Sequence, residues 1–305
     1  MYKSNINLNL YKTFYDVAKC GSISKAAQET YTSQPAISKA IKKLEEELDT
    51  QLFYRKLNGV ELTDKGKELL YFVEKSYNNL IIAERYMLET ENLERGKLSI
   101  GMPSNIGSFF LFDKIIDFHK RFPNIEVTII TGSTSNLINL LDTHKVDFVI
   151  DTSPINVRLD EGMKVTKLQD VQYCFIVKKG TKLLNPEAIN TLDDLKQYQL
   201  ILPIPGTANR NDLDETLKNN NVSIQNVINI HTSEMIISAV KKDLGIGYVI
   251  HNLVENEIDK NEFEVLKIKE KLPSVGINIV YDNHFLTTAP KKFIEDYIDY
   301  DLKLY

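Results

Sequence analysis

The segment that most constrains this chain runs from Ser33 to Leu62. Ile37, Ile41, Leu44 and Leu48 recur at i, i+4, i+7 and i+11, which puts them on one buried stripe of a helix. At about 100° per residue, Pro35, Lys39, Lys42 and Lys43 point the other way, with Gln34 and Ser38 beside them near the N-terminal end. Ser33 can cap this helix, and Pro35 suits its first turn, where a missing N–H costs nothing. Leu52-Phe53 follow, then the basic pair Arg55-Lys56, the hairpin turn signal Asn58-Gly59, and Val60-Glu61-Leu62 returning as a strand. An apolar-backed helix followed at once by a basic hairpin admits few packings. One is a winged helix-turn-helix, in which the third helix enters the major groove and the wing lies along the DNA backbone. Taken by itself, the helix also fits a plain amphipathic segment with a solvated basic face.

The preceding residues supply the rest of such a module. Leu10, Phe14, Val17 and Ala18 have helical spacing, and Gly21 ends that helix. A second helix is predicted over Ile23–Thr30, capped by Ser22, with Ala26-Ala27 allowing close helix packing. The charge agrees: residues 1–63 carry nine basic and seven acidic side chains, a net +2, against −7 for the remainder of a chain whose total is −5. A short basic face is enough for DNA. Gln can pair bidentately with adenine, Ser can donate or accept, and Lys can reach guanine or phosphate.

From Thr63, a candidate N-cap, a proline-free stretch continues to about Leu93. Leu70, Val73, Tyr77, Leu80, Glu84 and Met87 recur in steps of three and four, the 3.5-residue seam of a coiled coil, with Glu84 a local weakness. Such a seam is covered either by a second copy or by the N-terminal module. Gly96 marks the exit from this helix.

Beyond Lys97 strand and helix patterns alternate, which implies parallel strands with crossover helices. Strands are predicted at Lys97–Met102, Ile125–Thr131, Val146–Ile150, Gln172–Val177, Leu200–Pro203, Val227–Ile230, Ile246–Ile250 and Gly276–Tyr281. Helices are predicted at Ser108–Arg121, Ser135–His144, Leu192–Gln197, Asp212–Asn219, Ser233–Lys242 and Lys291–Tyr300. The last strand and helix have no sheet of their own and are expected to return to the first lobe. The expected domain organisation is a DNA-binding module over 1–63, a linker helix over 64–95 and a two-lobed α/β domain over 96–305. Lobe I spans about 96–164 and 269–305, and lobe II about 165–268.

In order and spacing, Phe14, Gly21-Ser22, Ala26-Ala27, Ser33-Gln34-Pro35-Ala36-Ile37-Ser38, Ile41, Leu44-Glu45, Leu48, Leu52-Phe53, Arg55, Leu62-Thr63 and Gly66 resemble the LysR-type transcriptional regulators. Asp49 departs from the glycine usual after that leucine; Asp tolerates a left-handed conformation, so a local effect alone is expected. The resemblance implies an α/β chain: a winged helix-turn-helix, a dimerising linker helix, and a two-lobed α/β effector domain resembling periplasmic binding proteins. It implies DNA contacts from Ser33, Gln34, Pro35, Ser38, Lys39 and Lys42, with Arg55 on the backbone. It also implies homodimers through the linker helix, assembled into homotetramers, and a double-stranded DNA operator. RNA polymerase is a candidate partner.

In open α/β domains, ligands bind at the carboxyl ends of strands, in the crevice between lobes. That rule selects Ser104 and Asn105, Ser133, Thr152, Gly206 and Thr207, and Thr232 as effector-binding candidates. The same residue types are also ordinary helix caps and turn formers. No metal ligand set, cofactor motif or catalytic arrangement competes: the two cysteines lie far apart, the five histidines form no H-x-x-x-H pattern, and G-x-S-x-G, Walker and G-x-G-x-x-G motifs are missing. Gly245-Ile246-Gly247 reads as a tight turn before a strand. Without a signal-like N-terminus or a run of about 18 apolar residues, the protein is expected to be cytoplasmic, with no membrane partner. An enzyme or transport-type binding protein carrying a DNA-binding extension, and an architectural DNA protein without an effector, are the competing readings.

Overall fold

The computed structural model describes residues 6–57, 59–88, 93–152, 155, 159, 162–182 and 185–298. It divides into two compact units: Met1–Leu88 with Asp142–Lys145, and Glu89–Leu141 with Val146–Tyr305.

In the first unit, α1 (Leu8–Cys20) ends at Gly21, which takes the left-handed conformation (φ 62°). Helix α2 (Ile23–Glu29) is capped by the Ser22 side chain, and α3 (Gln34–Leu48) by that of Ser33. Phe14, Val17, Ala26, Ala27, Ile37, Ile41, Leu44, Leu52 and Phe53 form the core these helices share. Helix α3 ends on Asp49 at φ 47°, the left-handed cap expected of the residue standing in place of glycine. Strands β1 (Phe53–Lys56) and β2 (Gly59–Leu62) pair antiparallel. Their register, Lys56↔Gly59, puts the connection at positions 57 and 58, one residue earlier than the Asn58-Gly59 turn signal; Asn58 lies outside the described residues. Gly59 (φ 144°) is needed for a different reason: a Cβ there would meet the Gly21 carbonyl oxygen at 2.4 Å, and the Val60 N–H donates to that oxygen at 3.0 Å. The wing is thus pinned to the α1–α2 turn. Glu45 holds its other end, its Oε1 accepting from the N–H groups of Leu52 (2.7 Å) and Phe53 (3.2 Å).

Helix α4 (Asp64–Leu88) starts at Thr63, whose hydroxyl accepts from the Gly66 N–H at 2.9 Å. The seam read from the sequence divides along its length. Val73 is buried, Leu70 and Tyr77 are half-buried against the helix-turn-helix core, and Tyr77 stacks on Tyr15 at 5.5 Å. Leu80, Glu84 and Met87 are exposed. The first half of the seam is therefore consumed within the chain. Phe72 joins the exposed seam residues Leu80 and Met87 in an apolar stripe that stays open, at 63%, 59% and 79% exposure.

The second unit is built on a nine-stranded sheet in the order β4-β3-β5-β11-β6-β9-β7-β8, with β10 (Phe263–Val265) paired to β6. Lobe I contains the parallel strands β3 (Gly96–Met102), β4 (Ile125–Thr131) and β5 (Phe148–Thr152). Lobe II repeats the arrangement with β7 (Leu200–Pro203), β8 (Val227–Ile230) and β9 (Ile246–Ile250). In both lobes the first strand lies between the second and the third. Two antiparallel strands join them: β6 (Met163–Lys178) and β11 (Ser274–Asp282), the latter returning to lobe I against β5 as expected. The crossover helices are α5 (Ser104–Ile106), continued through a π-helical segment (Gly107–Leu111) into α6 (Phe112–Arg121), then α7 (Thr134–Asp142), α8 (Ala208–Asn219) and α9 (Ser233–Lys241). Short α10 (Glu255–Asp259) precedes β10, and α11 (Thr288–Tyr297) closes lobe I by stacking Phe293 on Phe148 and edge-on to Phe118.

Candidate functional site

Two surfaces collect the residues singled out by sequence, one in each unit. On the first, Ser33, Gln34, Pro35, Lys39 and Lys42 are exposed and Ser38 is half-exposed, all on the first three turns of α3. The Ile37–Ile41–Leu44 stripe faces the core and fixes the helix's rotation, so this polar face is held outward by packing on its back. Ser33 has a structural task as well, its hydroxyl accepting from the Ala36 N–H at 3.4 Å. Lys42 is paired loosely with Glu46 at 3.5 Å, both exposed, a contact that a phosphate can displace at little cost. Arg55 is exposed on β1 and makes no ion pair among the described residues, whereas its neighbour Lys56 meets Glu61 at 3.1 Å. An exposed helix N-terminus bearing Gln and Ser, flanked by Lys and by a wing Arg, can present base-reading groups and phosphate-binding groups together.

The second surface is a cleft of about 420 Å³ in the effector unit. It lies at the carboxyl ends of the lobe I strands β3 and β4 and the lobe II strand β8. Ser104, Asn105, Ser133 and Thr232 all line it. Thr152, Gly206 and Thr207 lie outside its lining, and local geometry shows how they are used. The Thr152 N–H donates to Asp151 Oδ1 at 2.7 Å. Gly206 takes φ 88° in a turn, and the Thr207 hydroxyl donates to the Ile204 carbonyl at 2.8 Å. Thr232 serves both purposes, lining the cleft while accepting from the Met235 N–H at 3.3 Å. Asn209, His231 and Glu234 line the cleft without having been singled out by sequence; each lies one to three residues from a strand end or helix start that was. Arg210 is turned away, bonded to Asp214 (2.8 Å), the Pro203 carbonyl (2.9 Å) and Asn229 (2.7 Å) in a separate hollow. The lobe I helix entering the cleft switches to π-helical hydrogen bonding at Gly107–Leu111, a defect that often marks a functional site.

Asp151 lies at the end of β5, 2% exposed. Burial pushes its carboxyl above the ordinary range, opposed by hydrogen bonds from the Thr134 hydroxyl and from Thr152. No group of three or more His, Cys, Asp or Glu among the described residues could hold a metal ion. No described helix is long and apolar enough to cross a membrane.

Comparison with known proteins agrees with this layout. Residues 8–67 match the model of the bacterial regulatory helix-turn-helix protein, lysR family, and residues 91–298 match that of the LysR substrate binding domain. The chain is 27% identical over 256 residues to a probable RuBisCO transcriptional regulator of Phaeodactylum tricornutum, covering 83% of each. It is 25% identical to the regulator YofA of Bacillus velezensis, covering 91% of this chain and 93% of that one. Among solved structures, full-length OxyR of Pseudomonas aeruginosa has the same fold at a TM-score of 0.72 and 20% identity, covering 97% of this chain and 95% of that one. CbnR complexed with its target DNA matches at a TM-score of 0.54 and 16% identity, covering 96% and 98%. With a family-specific helix-turn-helix at one end and the family's substrate-binding domain over most of the rest, the chain belongs to the LysR-type transcriptional regulators.

Proposed function

We propose that this regulator reads its operator with the outer face of α3 and the wing, and that a small molecule in the cleft between its lobes sets how it does so. The observation carrying this reading is the cleft: a cavity of about 420 Å³ lined by Ser, Thr and Asn from both lobes, within the roughly 300–1,000 Å³ usual for metabolite sites. An architectural protein without an effector has no use for it. An enzymatic reading lacks a catalytic or metal-binding constellation among the described residues, and the relatives are named as regulators.

Gln34, Ser38 and Lys39 are assigned to base edges, Lys42 and Arg55 to phosphates, and Ser33 and Pro35 to fixing the helix start beside the backbone. A second copy of the chain covers the apolar stripe of α4. Phe72 and Leu80 continue into a hollow of about 320 Å³ between α1 and α4, lined by Leu8, Tyr11 and Leu69, and apolar surface of that extent is unfavourable in water. The dimer presents two recognition helices to two half-sites, and pairs of dimers make the tetramer. Ligand acts by population shift: it favours the lobe arrangement it binds better, and so biases the assembly competent for one mode of operator binding.

Footprinting of the full chain on its own promoter region, with and without cell-extract metabolites, tests this reading. A discrete protected operator is expected, changed in extent or affinity by a metabolite fraction and lost steeply as salt rises. Uniform coverage at physiological salt, or a footprint indifferent to every fraction and to replacement of Ser104 and Thr232, would overturn it.

A further inference from the structure

Helix α4 carries a polar stripe beside its apolar seam. Tyr71, Glu74, Lys75 and Asn78 recur at i, i+3, i+4 and i+7, so they share one face. All four bond to one short segment, Asp142–Lys145. The Tyr71 hydroxyl donates to Asp142 Oδ2 at 2.5 Å, and the Lys75 ammonium to Oδ1 at 2.7 Å. Glu74 meets Lys145 at 2.9 Å, and Asn78 Nδ2 donates to the Thr143 carbonyl. Glu74 also meets Lys19 of α1 at 3.1 Å, which ties this latch to the helix-turn-helix. The segment belongs to the first unit, although the chain on either side of it belongs to the second.

The latch differs in kind from the packing around it. Asp142 and Thr143 are buried, yet none of residues 142–145 joins a hydrophobic cluster among the described residues. Directional bonds hold the segment. Desolvation offsets much of the attraction in partly buried ion pairs, so they are poor glue. They fix geometry well, because a hydrogen bond is lost within about 1 Å of displacement. The segment also has little slack. Leu141 before it and Val146 after it are buried in one lobe I cluster. The Asp147 N–H donates to the Ser99 carbonyl at 2.8 Å, and the Asp147 carboxylate accepts from the Ser99 N–H at 2.6 Å, fastening the return to β3. Upstream lies α7, nine residues and so about 13 Å long, whose first residue, Thr134, follows Ser133 in the cleft wall.

Resting on the reading that α4 pairs with a second copy, we propose that Asp142 and Lys145 are positioning residues for operator binding. The latch hands a displacement of α7 to α4, and so sets the distance between the two recognition helices.

The test takes an operator selected from random duplex DNA by the wild-type full chain and varies the distance between its half-sites by up to half a turn, about 5 base pairs. Wild type is expected to favour the selected distance about tenfold. Asp142→Asn combined with Lys145→Met is expected to bind an isolated half-site as wild type does, and to lose most of the preference for distance. Lys75→Asp combined with Asp142→Lys restores the pair with its signs reversed and is expected to recover that preference. Circular dichroism melting checks the fold of each variant. If the Asp142→Asn, Lys145→Met variant melts early, Asn78→Ala, which removes one bond of the latch, is read in its place, with an expected loss of preference of about threefold. A preference kept in full by the variant that folds overturns the inference. So does a loss equal on half-site and full operator, which would make the latch a structural contact alone. A wild-type chain that binds every distance alike would sink the pairing of α4, and the inference with it.

Discussion

Gly66 has no side chain because no room exists for one: a Cβ would lie 2.2 Å from the Leu52 carbonyl oxygen. Gly66→Ala must push the start of α4 off the wing, and a cost of about 1–3 kcal/mol is expected, read as a lower melting temperature of the first unit. The two thiols differ by environment. Burial pushes Cys174 up to about 12, so it stays protonated and inert, while Cys20 is partly exposed beside Glu29. A thiol reagent should label one cysteine per native chain and two after denaturation; native labelling of Cys174 would contradict its burial. Glu74 bridges Lys19 (3.1 Å) and Lys145 (2.9 Å) inside the first unit. Burial works to raise its carboxyl, but the two ammonium groups outweigh that and hold it below the ordinary range. A carboxylate depressed on folding contributes stability above its unfolded pKa and loses it as pH falls through the folded one. The melting temperature should therefore drop as pH falls below the ordinary carboxylate range, and Glu74→Gln should remove that part of the slope. At this scale the sequence was legible where a residue has a local task, as with Ser33, Thr63 and Asp49. It was opaque for Glu74, whose partners lie 55 and 71 positions away.

Among the elements, β7 and β9 lie where their apolar runs place them, because a strand buried on both faces announces itself. Strand β6 begins about nine residues earlier than its apolar run, because the Met163–Asp170 half alternates with polar, solvent-facing residues. The cleft was half legible. Residues at strand ends, such as Ser104, Ser133 and His231, follow from topology, whereas Asn209 and Glu234 enter it through helix rotation, which periodicity at a helix's first turn does not fix. Helix α4 makes two kinds of prediction. Val73→Ala should destabilise the first unit by about 1–2 kcal/mol, since its methyl groups fill the core. Leu80→Glu or Met87→Glu should leave folding alone and shift the sedimentation equilibrium towards monomer. Unchanged self-association in both would remove α4 as the dimer surface.

At the scale of the whole molecule, affinity for DNA and sensitivity to salt separate the two kinds of contact. Gln34→Ala should cost about 1–3 kcal/mol on the operator and relax discrimination at one base position. Arg55→Ala should weaken operator and random DNA alike and lower the slope of log affinity against log salt by about one. The same salt slope for wild type and Arg55→Ala would take the wing off the backbone.

Strands β6 and β11 are what a lobe movement has to work against. They pass from one lobe to the other as continuous, mutually hydrogen-bonded backbone, broken in register only between Ile277 and Asn278, where Leu168 is left without a partner. A pair of strands cannot swivel as a loop does; it flexes like a leaf spring, storing a little elastic energy and returning when released. A closure of the lobes on a ligand would load this spring, and its compliance is greatest at the bulge, where the ladder is already interrupted. Amide hydrogen exchange should report it there first: protection at residues 167–170 and 277–278 should change on ligand addition while the flanking stretches of both strands stay locked.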